Sequence, residues 1–126
     1  MRNFAFCFLA AFFLVACASS TGTKSPRRST NLITVEEIAA STARDAYEAI
    51  QLLRPEWLIP RGIASPNNPR STLPAAYINN SRIGDLENLR NVNVMSIAEI
   101  RFLSSHDATT LLGTGHVGGA IMVKTK

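Results

Sequence analysis

The 126-residue sequence predicts an α+β fold: a small mixed sheet with short helices packed on it, preceded by a signal peptide and a flexible tether. Three observations carry that expectation. The C-terminal third, Val94 to Lys126, parses as strand, short helix, glycine-rich loop and strand. A helical pattern over residues 43–53 places Ala46, Tyr47, Ile50 and Leu53 on one face, with Arg44, Asp45, Glu48 and Gln51 mostly on the other. Between these segments, Ala75 to Asn79 and Arg82-Ile83 flank a short polar turn, as the arms of a hairpin do.

The first residues belong to a different class. Met1-Arg2-Asn3 is a short positive start, and Phe4 to Val15 is an apolar run too short to span a bilayer as a mature helix. Leu14-Val15-Ala16-Cys17 follows at once and resembles the lipobox of bacterial lipoproteins: a branched residue, two small residues, then the cysteine that receives the lipid. The resemblance implies a signal peptide over residues 1–16, lipidation of Cys17 and attachment to an envelope membrane. Ala18, where an aspartate would resemble an inner-membrane retention signal, implies the outer membrane, facing the periplasm. The other cysteine, Cys7, leaves with the signal peptide and Cys17 is consumed by acylation. A mature domain without a thiol has no disulfide, no cysteine-based zinc site and no cysteine nucleophile.

The net charge of +4 suggests a polyanion binder until it is located along the chain. Arg2 leaves with the signal peptide, and Lys24, Arg27 and Arg28 lie in the linker, residues 17–30. From Asn31 onward nine basic residues balance nine acidic ones, so the domain, residues 31–126, carries no basic stripe for nucleic acid. The linker cations suit anionic lipid headgroups instead. Its Ser/Thr-rich composition is that of a flexible tether, with an end-to-end distance of roughly 20 Å by random-coil scaling.

The elements follow in order. Leu32-Ile33 can form a short strand, and Thr34-Val35-Glu36-Glu37 reads as a capping box for a helical turn through Ala39. Ser41-Thr42 starts the main helix over Ala43 to Leu53, and Pro55 ends it. Glu56 to Ile59 is expected to pack beneath that helix through Trp57. Pro60 to Pro74 holds four prolines, two asparagines and Gly62, and predicts an irregular, mobile loop. After the hairpin, Asp85 caps a turn carrying Leu86 and Leu89. Ile97, Ile100 and Phe102 alternate with Glu99 and Arg101 as a half-buried strand requires. Ser105 is placed to cap a helix over Asp107 to Leu112, which Gly113 ends. Gly118-Gly119 leads into Ala120 to Val123, an apolar run suited to a central strand covered on both faces.

From the hairpin onward, the order of elements resembles the plug domain of TonB-dependent outer-membrane receptors. Ala76 to Ile83 matches the plug hairpin, Ile97 to Leu103 its central strand, and Ala108 to Lys126 its closing helix, glycine loop and strand. Asp45 to Ile50 is similar to the helix that precedes the hairpin. The sequence departs from the pattern at its Asn-Asn-Ser turn, where plugs use Asp-Gly, and it stops at Lys126, where a receptor continues into its barrel. The resemblance implies a free-standing, plug-like, lipid-tethered module that docks an envelope partner, a receptor or transporter among the candidates, or binds a small ligand.

Candidate chemistry is sparse. Gly113, Gly115 and Gly118 satisfy the letter of G-x-G-x-x-G, but the predicted order is helix, loop, strand. A dinucleotide fingerprint needs the reverse, with a helix N-terminus at the phosphates. Gly113, Gly115, Gly118 and Gly119 are therefore read as structural, and no cofactor is expected. His106, Asp107 and His116 are the residues from which a metal-dependent or hydrolytic enzyme would be built. Adjacent His106 and Asp107 point apart on a helix, and Ser104 and Ser105 lack a nucleophile-elbow context, so capping and surface roles are expected for these residues and for His116. Trp57 and Tyr77 are expected in the core. The long loop offers Arg61, Asn67, Asn68 and Arg70 as candidate partner contacts, because it has no obligation to pack.

Overall fold

A computed structural model describes residues 29–126. The expected signal peptide, Cys17 and the cations of the expected linker lie outside the described residues. The fold is α+β: five strands form one mixed sheet in the order β1-β4-β5-β2-β3. In chain order the elements are β1 (Leu32–Thr34), α1 (Val35–Ala39), α2 (Ala46–Leu53), β2 (Ala75–Ile78), β3 (Ser81–Gly84), β4 (Ile97–Leu103), α3 (Ser105–Leu112) and β5 (Ala120–Thr125). Short 3-10 turns occupy Pro55–Leu58, Pro69–Thr72, Leu86–Asn91 and Val94–Ser96. No helix among the described residues is long and apolar enough to cross a membrane.

β5 is the centre of the sheet, antiparallel to β4 and parallel to β2. Its Ile121 and Val123 face the main core with Ile100, Ala76 and Ile33, under α2, Trp57 and Leu89. Ala120 faces the other side, where α3 packs Ala108 against Tyr77 and Leu103. Both faces are covered at that end of the strand, which is why its residues are apolar without alternation.

The ends of the elements show where local signals decide. Thr34 forms the expected capping box, its hydroxyl accepting from Glu37 N at 3.4 Å while Glu37 accepts from Thr34 N at 3.3 Å. α2 begins three residues later than its sequence pattern suggests. Ala46 N donates to Val92 O and Val94 N to Arg44 O, so residues 44–46 are drawn into an extended bridge with residues 92–94. Asp45 then caps the helix by accepting from Glu48 N at 2.8 Å. At α3 the cap is Ser104, not Ser105: its hydroxyl accepts from Asp107 N and donates to the Asp107 carboxylate. β4 ends at Leu103, so Ser104 is already in the extended conformation that a cap requires. Asp85 occupies the N-cap position before Leu86 without a side-chain capping bond, because its carboxylate is turned to Arg70.

Asn79 and Asn80 close the β2–β3 hairpin with φ of 46° and 71°. Two consecutive positive φ angles are the signature of a type I′ turn, which matches the twist of the strands it joins. Asn-Asn thus does the conformational work of Asp-Gly. Asn79 also ties the hairpin to β5, its amide exchanging two hydrogen bonds with Thr125 at 2.7 and 3.0 Å.

The chain joins the domain at a fixed point. The buried Arg54 guanidinium donates to the carbonyls of Leu53 and Ser29 and pairs with Glu37 at 3.1 Å. Trp57 donates from Nε1 to Thr30 O at 3.1 Å and packs on Phe102, with ring centroids 5.6 Å apart.

Candidate functional site

Two loops meet at the end of the sheet where β2 and β5 begin and β4 ends. The proline-rich stretch is a closed Ω-loop. Arg61 N donates to Thr72 O at 2.8 Å and pinches its base, and every residue from Ile59 to Arg70 is exposed. Within it, Asn68 N donates to Ser65 O, Ser71 N to Asn68 O, and Ser65 N to the Ser71 hydroxyl. The expected irregular loop thus has a hydrogen-bonded frame of its own. Proline fixes several of its φ angles, and a few short-range bonds complete the turn.

The second loop is the glycine-rich connection from α3 to β5. A Cβ on Gly118 would lie 2.2 Å from Thr72 O, so this backbone passes directly over the base of the Ω-loop. On the other side Gly62 abuts Val117, whose Cγ1 would lie 3.0 Å from a Cβ at position 62. Gly119 combines a φ of +86° with a Cβ direction blocked by Leu103 O, as the chain turns into β5. The glycines expected to be structural occupy a loop preceded by a helix and followed by a strand, opposite to the order a phosphate cradle needs.

His116 pins this loop from within. It is 4% exposed, which corrects the expected surface role. Gly113 O can only accept, so Nδ1 carries the proton and donates to it at 2.8 Å. In the neutral ring Nε2 is then the acceptor for the Tyr77 hydroxyl at 2.7 Å. Both nitrogens are committed, leaving no lone pair for a metal ion. The single residue that sequence reasoning could have used here is Tyr77: a tyrosine on a buried strand needs a partner for its hydroxyl.

His106 and Asp107 sit on the exposed first turn of α3, and the Asp107 carboxylate is engaged by Ser104. Among the described residues no group of three or more His, Cys, Asp or Glu could hold a metal ion. The pattern His106, Asp107 and His116 is therefore not assembled: His116 is buried against Tyr77, while His106 and Asp107 are exposed on the first turn of α3.

The candidate contact residues divide into two roles. Arg61 belongs to the frame: its guanidinium stacks over Phe102, 4.5 Å from the ring centroid, and donates to Glu56 O at 3.0 Å. Asn67 is exposed on the loop. Asn68 and Arg70 line a polar groove of about 400 Å³ between the Ω-loop, the end of β3 and Gly115. Arg82, Asp85 and Glu87 complete its charges. Arg70 spans it to Asp85 at 2.8 Å, with both side chains well exposed. An exposed ion pair of this kind is worth only about 0–1 kcal/mol, so either member can exchange its partner for an incoming charge at little cost. Sequence gives no groove role to Arg82, Glu87 or Asp85, the last read only as a helix cap, since nothing in their spacing links them to a loop more than ten residues upstream.

A second groove, of about 560 Å³, runs along the sheet from Leu103 to Asn79 and Asn80 at the far end, on the face that α3 leaves uncovered. Leu103, Leu111 and Met122 supply apolar surface there, and Glu99, Arg101 and Lys124 supply charge. Comparison of the chain with protein families, curated proteins and solved structures returned no match.

Proposed function

We propose that the chain is a small bacterial lipoprotein, held through Cys17 to the periplasmic side of the outer membrane. Its plug-like domain acts as a non-enzymatic interaction module that docks an envelope partner, with a receptor or transporter as the favoured class. The observation that carries this reading is the Ω-loop: a fully exposed stretch, closed at its base, beside a groove whose exposed Arg70–Asp85 pair is free to re-pair. Binding residues concentrate on loops held by a rigid scaffold, and here the scaffold is the doubly covered start of β5. The lipobox supplies the address, and the balanced charge of the domain favours a protein partner over a polyanion.

Photo-crosslinking from Asn67 in intact cells tests the reading. The wild-type chain is expected to capture a discrete envelope protein. Replacing Arg70 with Glu is expected to abolish the adduct, and deleting Asn67 to Arg70 to abolish the same complex captured with the crosslinker moved to the exposed Ala64, while the domain stays folded by circular dichroism. Unchanged envelope complexes after the deletion would overturn the proposed docking surface.

A further inference from the structure

Six large apolar residues are exposed among the described residues, and Leu52, Met95 and Leu111 stand on three separate elements. The other three, Ile59, Ile63 and Val117, lie on the Ω-loop and the glycine loop, Ile63 at 91%, and the Gly62–Val117 approach makes the two loops one surface. Single exposed apolar side chains need no explanation, but a cluster at one end of a domain asks what it touches.

The path of the chain supplies the occupant. Ser29 and Thr30 are fixed by Arg54 and Trp57, Trp57 packs on Phe102, and Phe102 lies beneath Arg61 at the base of the Ω-loop. The N-terminal segment therefore joins the domain at the same end as the apolar tip. Only residues 18–28 separate Ser29 from Cys17. So few residues reach at most about 40 Å even when fully extended, and a connection this short, attached at this end, turns this end toward whatever holds Cys17. Lys24, Arg27 and Arg28 add cations to that short connection.

The geometry points to a membrane-contact site: the tip formed by Ile59, Ile63 and Val117 rests in the interfacial layer of the anionic bilayer that carries the Cys17 lipid. The lipid supplies the anchorage and the loops supply the orientation. An apolar tip at the end where a cationic segment enters the domain is the chemistry of an interfacial contact, shallow and parallel to the surface. This orientation sets the Arg70–Asp85 groove beside the membrane, where a partner embedded in the same bilayer can reach it. The inference rests on the lipid anchor proposed above, and the test separates the two.

The mature chain, reconstituted into phosphatidylethanolamine–phosphatidylglycerol vesicles, is labelled with an environment-sensitive fluorophore at Ala64→Cys or, at the opposite end of the sheet, at Ser81→Cys. Both positions are exposed. Lipids bearing a quencher are expected to quench the probe at position 64 roughly twofold more than at 81, since an interfacial contact sits about 5–10 Å into the headgroup and acyl boundary. Ile63→Asp with Val117→Asp is expected to abolish that difference without releasing the protein. Equal quenching at the two positions in a chain whose intact mass includes the lipid would overturn the contact and leave the anchor standing. Selective quenching at 64 in a chain without the lipid would support the contact and sink the anchor. Quenching at 64 that requires membrane proteins in the vesicles would assign the tip to a protein partner and overturn the lipid contact.

Discussion

Gly118→Ala is the substitution for which the structure predicts the largest response per atom added. The new Cβ would lie 2.2 Å from Thr72 O and 2.5 Å from the carbonyl carbons of both Thr72 and Leu73. Ordinary contact at such a position begins near 3.4 Å, so the Thr72 carbonyl would have to retreat by about 1.2 Å. None of the blocking atoms belongs to a flexible side chain. Thr72 O is also the acceptor that closes the Ω-loop through Arg61 N, so moving it opens that bond. Overpacking of this kind costs typically 1–3 kcal/mol and a lost hydrogen bond about 1 kcal/mol, giving a loss of about 2–4 kcal/mol. For a domain of about 100 residues that is a fall in Tm of roughly 10–25 °C.

The glycine loop contains its own controls. Gly113 and Gly115 have φ of +92° and +96°, but no atom lies within 4 Å of a Cβ at either site. Alanine there meets torsional strain alone, about 1–2 kcal/mol. Trp57 is the single tryptophan and is buried, so equilibrium urea unfolding followed by its fluorescence reads all three variants on one scale. Hydrogen exchange should also show the Arg61 amide losing protection in Gly118→Ala and keeping it in Gly115→Ala. A Gly118→Ala variant that loses less stability than Gly115→Ala would refute the close-approach argument.

Three further outcomes follow from the same packing. Arg54→Lys keeps the charge but cannot reproduce the fork that reaches Leu53 O, Ser29 O and Glu37 together, and should cost roughly 1–3 kcal/mol, with faster amide exchange over Leu32 to Thr34. Tyr77→Phe and His116→Gln, measured singly and together, should show a coupling energy of about 0.5–1.5 kcal/mol in a double-mutant cycle; additivity would mean the 2.7 Å contact contributes nothing. Glu48 accepts from the Arg44 backbone and side chain, which holds its carboxyl below the usual range. Because the folded-state value is the lower one, the stabilisation is present above the unfolded-state value and is lost as pH falls through the folded one. Glu48→Gln should therefore flatten the acid limb of the stability profile and leave its alkaline side unchanged.

Legibility in this sequence follows the range of the interaction that decides each feature. Thr34 and Glu37 are three residues apart, and their capping box forms as read. Ala120 to Val123 is apolar without alternation, and it lies in the middle of the sheet with both faces covered at its start. Where the sequence misleads, a distant segment intervenes. The helix pattern from Ala43 is cut short by hydrogen bonds to residues 92–94, nearly fifty positions away, and no property of Ala43 or Arg44 announces them. Asn-Asn at the hairpin departs from the expected Asp-Gly, yet asparagine tolerates positive φ, so the backbone keeps the turn although the letters change.

The candidate site lies wholly on the distant side of that division. Gly118 carries a meaning only when Thr72 is beneath it, Gly62 only when Val117 is beside it, and His116 only when Tyr77 is opposite. Each pair joins segments about 40 or more residues apart along the chain, and their registers are set by β2 and β5 lying parallel, Ala75 against Ala120. That single pairing brings a proline-rich loop and a glycine-rich loop to one end of the sheet. β1, antiparallel to β4 with Leu32 opposite Arg101, brings the start of the domain to the same end. The strand order thus determines which residues can act together: the start of the domain, the exposed apolar residues of the two loops and the charged groove share an end, whereas Glu99 and Lys124 lie toward the other. A change that altered the β2–β5 register would part the Ω-loop from the glycine loop and break the Gly118–Thr72, Gly62–Val117 and His116–Tyr77 approaches at once, whereas a change within either loop would affect only the loop's own contacts.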